Sequence, residues 1–349
     1  MTKITARKLN FKPGTAVKAL LAPVQDRARD IVERRFGITG KTGDRMTLEA
    51  IGEIYNITRE RVRQIENFAL ESIRKSDAYT KNVAVFEELE DYLTSHGGLI
   101  KEETLLNELG KDEQTRNQVV FLLTLGESFV RLREDDDYYH RWTLDPESAD
   151  KVHGALDKMR EGIGADELIA ESEIVDRLAT HLKNDVGEYV SNEQARRWLD
   201  ISKHISSNPL NEWGHADSPN VKTRGVRDYA YLVLRKHGKP LHFSEVAEQV
   251  TEMFGRPAHV ATTHNELIKD ERFVLVGRGL YALSEWGYSN GVVRDVIRTI
   301  LKEKGPMTKE ELTKEVLKQR QVKENTIYVN LQNARHFRKD VKGRYTPVA

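Results

Sequence analysis

Apolar residues near the N-terminus fall into two helical registers separated by a three-residue break. Ile51, Ile54 and Tyr55 share one face of a first helix, and Val62, Ile65 and Ala69 share one face of a second. Asn56 tolerates a left-handed backbone and predicts the end of the first helix. Ile57 is placed to bury into the turn, and Thr58 to cap the helix that follows. Gly52 leaves room for a close crossing of the two helices. The pattern predicts a helix-turn-helix.

Downstream, three stretches share a layout. A helix ends at His96-Gly97-Gly98, at His237-Gly238-Lys239-Pro240 and at Lys304-Gly305-Pro306. An apolar residue and a Glu-bearing helix follow each turn. A third helix comes next, at Gln114–Leu125, His259–Ile268 and Glu324–Ala334. Each then yields to a strand–turn–strand carrying Phe129 and Trp142, Phe273 and Tyr281, or Phe337 and Tyr345. Gly277-Arg278-Gly279 and Lys342-Gly343 supply hairpin turns, and Glu134–Asp137 takes that role in the first copy. Helix–turn–helix followed by a hairpin is a winged helix. The first and second copies stand about two repeat lengths apart, which predicts a fourth unit near 150–220. Its parts are Gly164, a helical-looking Asp166–Leu182, Ser191–Leu199, and Ile205 and Trp213 as the hairpin pair. Pro209 and Ser218-Pro219 read as a long wing or linker.

The second helix of the N-terminal pair carries Arg59, Glu60, Arg63 and Gln64 on its outer face, near its start. These residue types read base edges: Arg at guanine, Glu at the cytosine amino group, Gln at adenine. A helix-turn-helix presents that part of its second helix to the major groove. The alternative is a solvated face of mixed charge.

Thr58-Arg-Glu-Arg-Val-Arg-Gln-Ile-Glu66 resembles the promoter-recognition helix of region 4 in sigma-70-type initiation factors. The resemblance runs upstream through Arg27–Ile38 and Thr47-Leu48 and downstream to Ile73-Arg74. It implies that Arg59, Glu60, Arg63 and Gln64 read a promoter element, with Thr58 and Arg61 near phosphates. It also implies docking on the beta-subunit flap of RNA polymerase. No segment resembles region 2, so promoter melting by this chain alone is not expected. A second resemblance lies at Val226–Ala247 with Phe273–Leu283, which is similar to the HARE-type winged helix. That domain is the folded part of the RNA polymerase delta subunit and also accompanies restriction enzymes and chromatin proteins. The delta subunit's long acidic tail has no counterpart in the stretch ending Gly343–Ala349, so charge mimicry of nucleic acid is not expected.

Composition narrows the chemistry. The 349 residues include 55 Lys and Arg, 55 Asp and Glu, and no cysteine. Disulfides, thiolate metal sites and thiol nucleophiles are therefore excluded. Zero net charge argues against a uniformly basic nucleic-acid binder but permits local reading heads balanced elsewhere. The longest apolar run, Val119–Leu125, is far shorter than the roughly 20 residues of a membrane helix. The start of the chain lacks a signal-peptide apolar core. The pairs His237/His242 and His259/His264 miss the spacing of a helical zinc pair. Asp135–Asp137 reads as a solvated loop, and no nucleophile elbow, Walker loop or nuclease core is present. Arg278 is a candidate wing contact to DNA.

The expected fold is mainly α: tandem helix-turn-helix and winged-helix modules with small β-hairpin wings. The expected divisions are a region 4-like helix-turn-helix at 1–78, a winged helix at 79–147, and a divergent winged helix with linker at 148–221. A HARE-type winged helix at 222–286 and a last winged helix at 287–349 complete the chain. The expected function is a cytoplasmic, non-enzymatic transcription factor that binds double-stranded DNA, RNA polymerase, or both. No cofactor, metal, membrane or small-molecule substrate is expected. The rivals are a polymerase adaptor that does not read sequence, and a DNA-targeting subunit of a restriction or repair system.

Overall fold

The computed structural model describes residues 9–39, 43–183, 191–288, 292–320 and 322–348. Seventeen α-helices and eleven short strands occur among them. Chain contacts divide the molecule into two compact units, Met1–Ser206 with Trp213–Ala216, and Ser207–Glu212 with Asp217–Ala349.

The first unit begins with five helices, α1 (Pro13–Leu21), α2 (Asp26–Phe36), α3 (Leu48–Tyr55), α4 (Arg59–Arg74) and the short α5 (Asp77–Lys81). Next come α6 (Val83–Ser95), β1 (Leu99–Lys101), α7 (Glu102–Leu109), α8 (Glu113–Leu125), β2 (Val130–Leu132) and β3 (Arg141–Thr143). The same order then repeats: α9 (Pro146–Gly162), β4 (Ile169–Ala170), α10 (Glu171–Lys183), α11 (Asn192–Leu199), β5 (Ile205–Ser207) and β6 (Glu212–His215). The sheets have strand orders β1-β3-β2 and β4-β6-β5, so each short first strand adds to the far side of a hairpin.

The order recurs twice more in the second unit. Here α12 (Val226–His237), β7 (Leu241–His242), α13 (Phe243–Phe254), α14 (Val260–Lys269), β8 (Phe273–Gly277) and β9 (Leu280–Leu283) form one copy, with strand order β7-β9-β8. The other copy has α15 (Val293–Lys304), α16 (Lys309–Gln319), α17 (Glu324–Leu331), β10 (Phe337–Lys339) and β11 (Tyr345–Pro347). Its first strand is reduced to a single bridge between Met307 and Tyr345. The mainly α architecture of tandem helix-turn-helix and winged-helix modules is therefore present.

Several local expectations change. The stretch expected as one helix from Asp166 opens as strand β4 before α10 begins at Glu171. α17 ends at Leu331 rather than Ala334, because Asn333 turns the chain through a side-chain bond to the Arg335 amide. α9 has no counterpart among the expected elements, although Asp145 caps its start through the Glu147 and Ser148 amides and Pro146 occupies the first turn.

The core of the first unit explains what its helices can do. Val119, Phe121, Leu122, Leu123 and Leu125 are fully buried, so α8 is apolar on nearly every side. It packs in one core with Val17 and Leu20 of α1, Phe36 of α2 and Ile73 of α4, so apolar packing continues across residue 78. Asn117, also buried, donates to the Gly37 and Gly43 carbonyls at 3.1 and 2.6 Å and accepts from the Arg45 Nε at 2.6 Å. Arg74 donates to the Thr124 and Leu125 carbonyls and so caps α8 with a positive charge. Asn117→Leu, which strands two buried carbonyls, is expected to lower stability by about 2 kcal/mol, seen as a reduced denaturant midpoint.

α11 is covered as well. Trp198 packs against the Gly97 turn, where a Cβ would stand 2.9 Å from the indole. Arg197 forms a buried ion pair with Glu108 of α7 at 3.0 Å. The acidic loop expected as solvated is instead engaged. Asp137 meets Arg160 and His204, and Asp135 holds the Tyr138 amide and Arg141.

Candidate nucleic-acid interface

The helix-turn-helix is assembled by α2, α3 and α4 around Ile31, Ile51 and Val62, with Tyr55, Ile57 and Ile65 packed against them. Thr47 caps α3 by accepting from the Ala50 amide at 3.1 Å. Asn56 ends α3 in the left-handed region, at φ 50°, and Thr58 caps α4 by accepting from the Arg61 amide. Each such cap is worth about 1 kcal/mol. Gly52 is required by backbone rather than by a crossing side chain: a Cβ there would lie 2.6 Å from the Ile57 carbonyl oxygen. Ile54, expected on the buried face, is 51% exposed instead. One helical turn beyond Ile51, the face has already rotated out of the core.

Tyr55 donates to the Asp30 carboxylate, which also accepts from Arg34 at 2.6 Å. Burial pushes the Asp30 carboxyl up, but the bonds from Arg34 and Tyr55 outweigh it and hold the group below its usual range. Glu66 faces Arg35 at 3.6 Å, and its partial burial pushes its carboxyl up. These pairs fix α2 against α3 and α4 behind the outward face.

The outward face is open. Thr58, Arg59, Glu60, Arg61, Arg63 and Gln64 are all exposed. They are organised by one another. Arg63 donates to both Glu60 oxygens at 2.9 and 2.6 Å, which holds the Glu60 carboxyl below its ordinary range. Arg61 donates to Gln64 at 3.1 Å, and Arg59 pairs with Glu49 at 3.0 Å. Solvent-exposed pairs of this kind are worth about 0–1 kcal/mol. A bidentate base contact is worth about 1–3 kcal/mol. The exchange of Glu60 for a guanine edge is therefore favourable for Arg63.

The remaining candidates divide by module. Arg278 is exposed on the turn between β8 and β9, where Gly279 has a φ of 70°. The histidine pairs are structural. His242 caps α13 through Ser244, and His264 stacks on Phe243 and meets Tyr281 edge-on. Among the described residues no cluster of metal-ligating side chains occurs, and no helix is long and apolar enough to cross a membrane.

Comparison with known proteins agrees with this geometry. Residues 20–75 match the family Sigma-70, region 4, and residues 225–286 match HARE-HTH, the ASXL and restriction endonuclease HTH domain. Over 58 residues the chain is 41% identical to the RNA polymerase sigma factor SigA1 of Synechococcus elongatus, covering 17% of this chain and 14% of that protein. It is also 41% identical over 58 residues to the sigma factor RpoD of Helicobacter pylori, covering 17% and 8%. Over 60 residues it is 42% identical to the chloroplastic sigF of Arabidopsis thaliana, covering 17% and 11%. The chain thus spans under a sixth of the length of these relatives. It carries a sigma-70 region 4 helix-turn-helix at its N-terminal end and a HARE-type helix-turn-helix domain in its second unit.

Proposed function

We propose that this protein is a non-catalytic, cytoplasmic transcription regulator that binds double-stranded promoter-type DNA through its region 4-like head and docks on RNA polymerase. Arg59, Glu60, Arg63 and Gln64 read base edges, while Thr58 and Arg61 contact phosphates. The beta-subunit flap is the docking partner that the region 4 likeness suggests. The functional divisions are 1–78, 79–147, 148–221, 222–286 and 287–349, with Arg278 an accessory wing contact. Without a region 2 equivalent the chain does not melt a promoter. No membrane, cofactor or small-molecule substrate enters this reading. The open N-terminal half of α4 carries it. Arg63→Ala is expected to weaken binding to a selected duplex by about 1–3 kcal/mol and to relax preference at one base pair. An unchanged mobility-shift titration would remove the sequence-reading role.

A second reading, an adaptor that binds only polymerase, draws on Phe68. This residue of α4 is 70% exposed and lies away from the reading face. An exposed aromatic suits a protein partner. Salt separates the readings, because DNA binding weakens steeply with ionic strength and an apolar contact does not.

A further inference from the structure

Zero net charge conceals a division along the chain. Residues 1–78 carry 16 Lys and Arg against 10 Asp and Glu, whereas residues 79–221 carry 15 against 30. Residues 222–286 are near balance at 10 against 8, and residues 287–349 carry 14 against 7. In the acidic middle the third helix of each winged helix, α8 and α11, is also packed away. Neither charge nor geometry lets that part of the chain enter a groove.

The last winged helix differs on both counts. α17 buries Ile327 and Leu331, and leaves Asn325, Thr326 and Val329 exposed on its N-terminal half. Amide, hydroxyl and methyl groups at these offsets are residue chemistry that contacts base edges. The hairpin from Phe337 to Pro347 exposes Arg338, Lys339 and Lys342 beside a fully exposed Val341. Asp340, the hairpin's acidic residue, is occupied: it accepts from the Lys342 and Arg344 amides at 2.8 Å and stiffens the tip. The side chains of Lys323, Arg335, Arg338 and Lys342 make no ion pair among the described residues. At the corresponding hairpin of the first winged helix stand Glu134–Asp137, so the sign of the wing is inverted between copies.

We propose that residues 287–349 form a second duplex-DNA-binding head, in addition to the region 4-like one. The N-terminal half of α17 enters the major groove, and Arg338 and Lys342 rest on phosphates. Backbone contacts are sequence-independent, so a random duplex suffices as the probe. The test is an anisotropy titration of the full chain on a labelled random duplex across a salt series. Wild type, Arg338→Ala/Lys342→Ala, Arg63→Ala and the combination are compared. The double wing variant is expected to lose at least about tenfold in affinity at 0.1 M salt, with a log–log salt slope shallower by about two. The same loss is expected within the Arg63→Ala background. Both wing side chains are exposed, so thermal melting should not change. Unchanged affinity and slope in both backgrounds would overturn the second head whatever Arg63→Ala does, and so would a wing-dependent preference for single-stranded RNA over duplex DNA.

Discussion

Arg197→Ala is expected to destabilise the first unit by about 3–5 kcal/mol, the loss associated with stranding one partner of a buried ion pair. Arg197 is 5% exposed and donates to both Glu108 oxygens, at 3.0 and 3.2 Å. The Tyr92 hydroxyl donates to the same carboxylate, and burial and this carboxylate push its phenol far above the usual range. Glu108 is itself largely buried, so without the guanidinium its charge has neither water nor a cation to meet it. The melting temperature should fall by roughly 2–4 °C for each kcal/mol. Arg196→Ala, one position earlier, is the control. That residue pairs with Glu171 at 3.1 Å at a half-exposed site, and its loss should cost under about 1 kcal/mol. Replacing both partners, Glu108→Leu with Arg197→Met, should recover much of the stability. Equal melting of Arg197→Ala and Arg196→Ala would show that the pair contributes nothing beyond its surface neighbour.

The contrast shows where the sequence is legible and where it is not. The helix-turn-helix is readable because its signals are local: Thr47 and Thr58 at helix starts, Asn56 at a left-handed end, and apolar residues in register between them. The winged helices are readable from their Gly turns and hairpin aromatics. Which helices stay open is a different kind of fact. α8 and α14 occupy the same place in their modules, yet α8 is enclosed by the N-terminal helices while α14 exposes Val260 and Ile268. Only the apolar run Val119–Leu125 hints at this, since a helix that is apolar on all sides has no face left for a groove. Arg197 looks like any exposed helix cation beside Arg196, because its partner Glu108 is 89 residues away. The charge division is present in the sequence throughout. It is visible only when charges are counted module by module, because the whole-chain sum cancels.

Gly52→Val joins the stability of the head to its proposed function and is expected to affect binding more than any single reading residue. In a free helix, replacing glycine relieves a penalty of up to about 1 kcal/mol. Here the added Cβ would stand 2.6 Å from the Ile57 carbonyl oxygen, and backbone cannot swing aside as a side-chain tip can. The Ile57 amide also donates to the Gly52 carbonyl at 3.0 Å, so displacing the turn strains that bond as well. Overpacking of this kind costs about 1–3 kcal/mol, which exceeds the helical gain. The strain falls on the three residues that set the angle between α3 and α4. Arg59, Glu60, Arg63 and Gln64 therefore shift together, and each misplaced base contact forfeits up to about 1–3 kcal/mol. Hydrogen exchange should show faster opening of amides in α3 and the first turns of α4, with α15–α17 unchanged. Duplex affinity should drop further than in Arg63→Ala, while the part of binding that depends on Arg338 and Lys342 persists. A valine variant that kept both the exchange rates and the sequence preference of wild type would mean that the turn yields without moving α4, and that Gly52 is dispensable to the reading geometry.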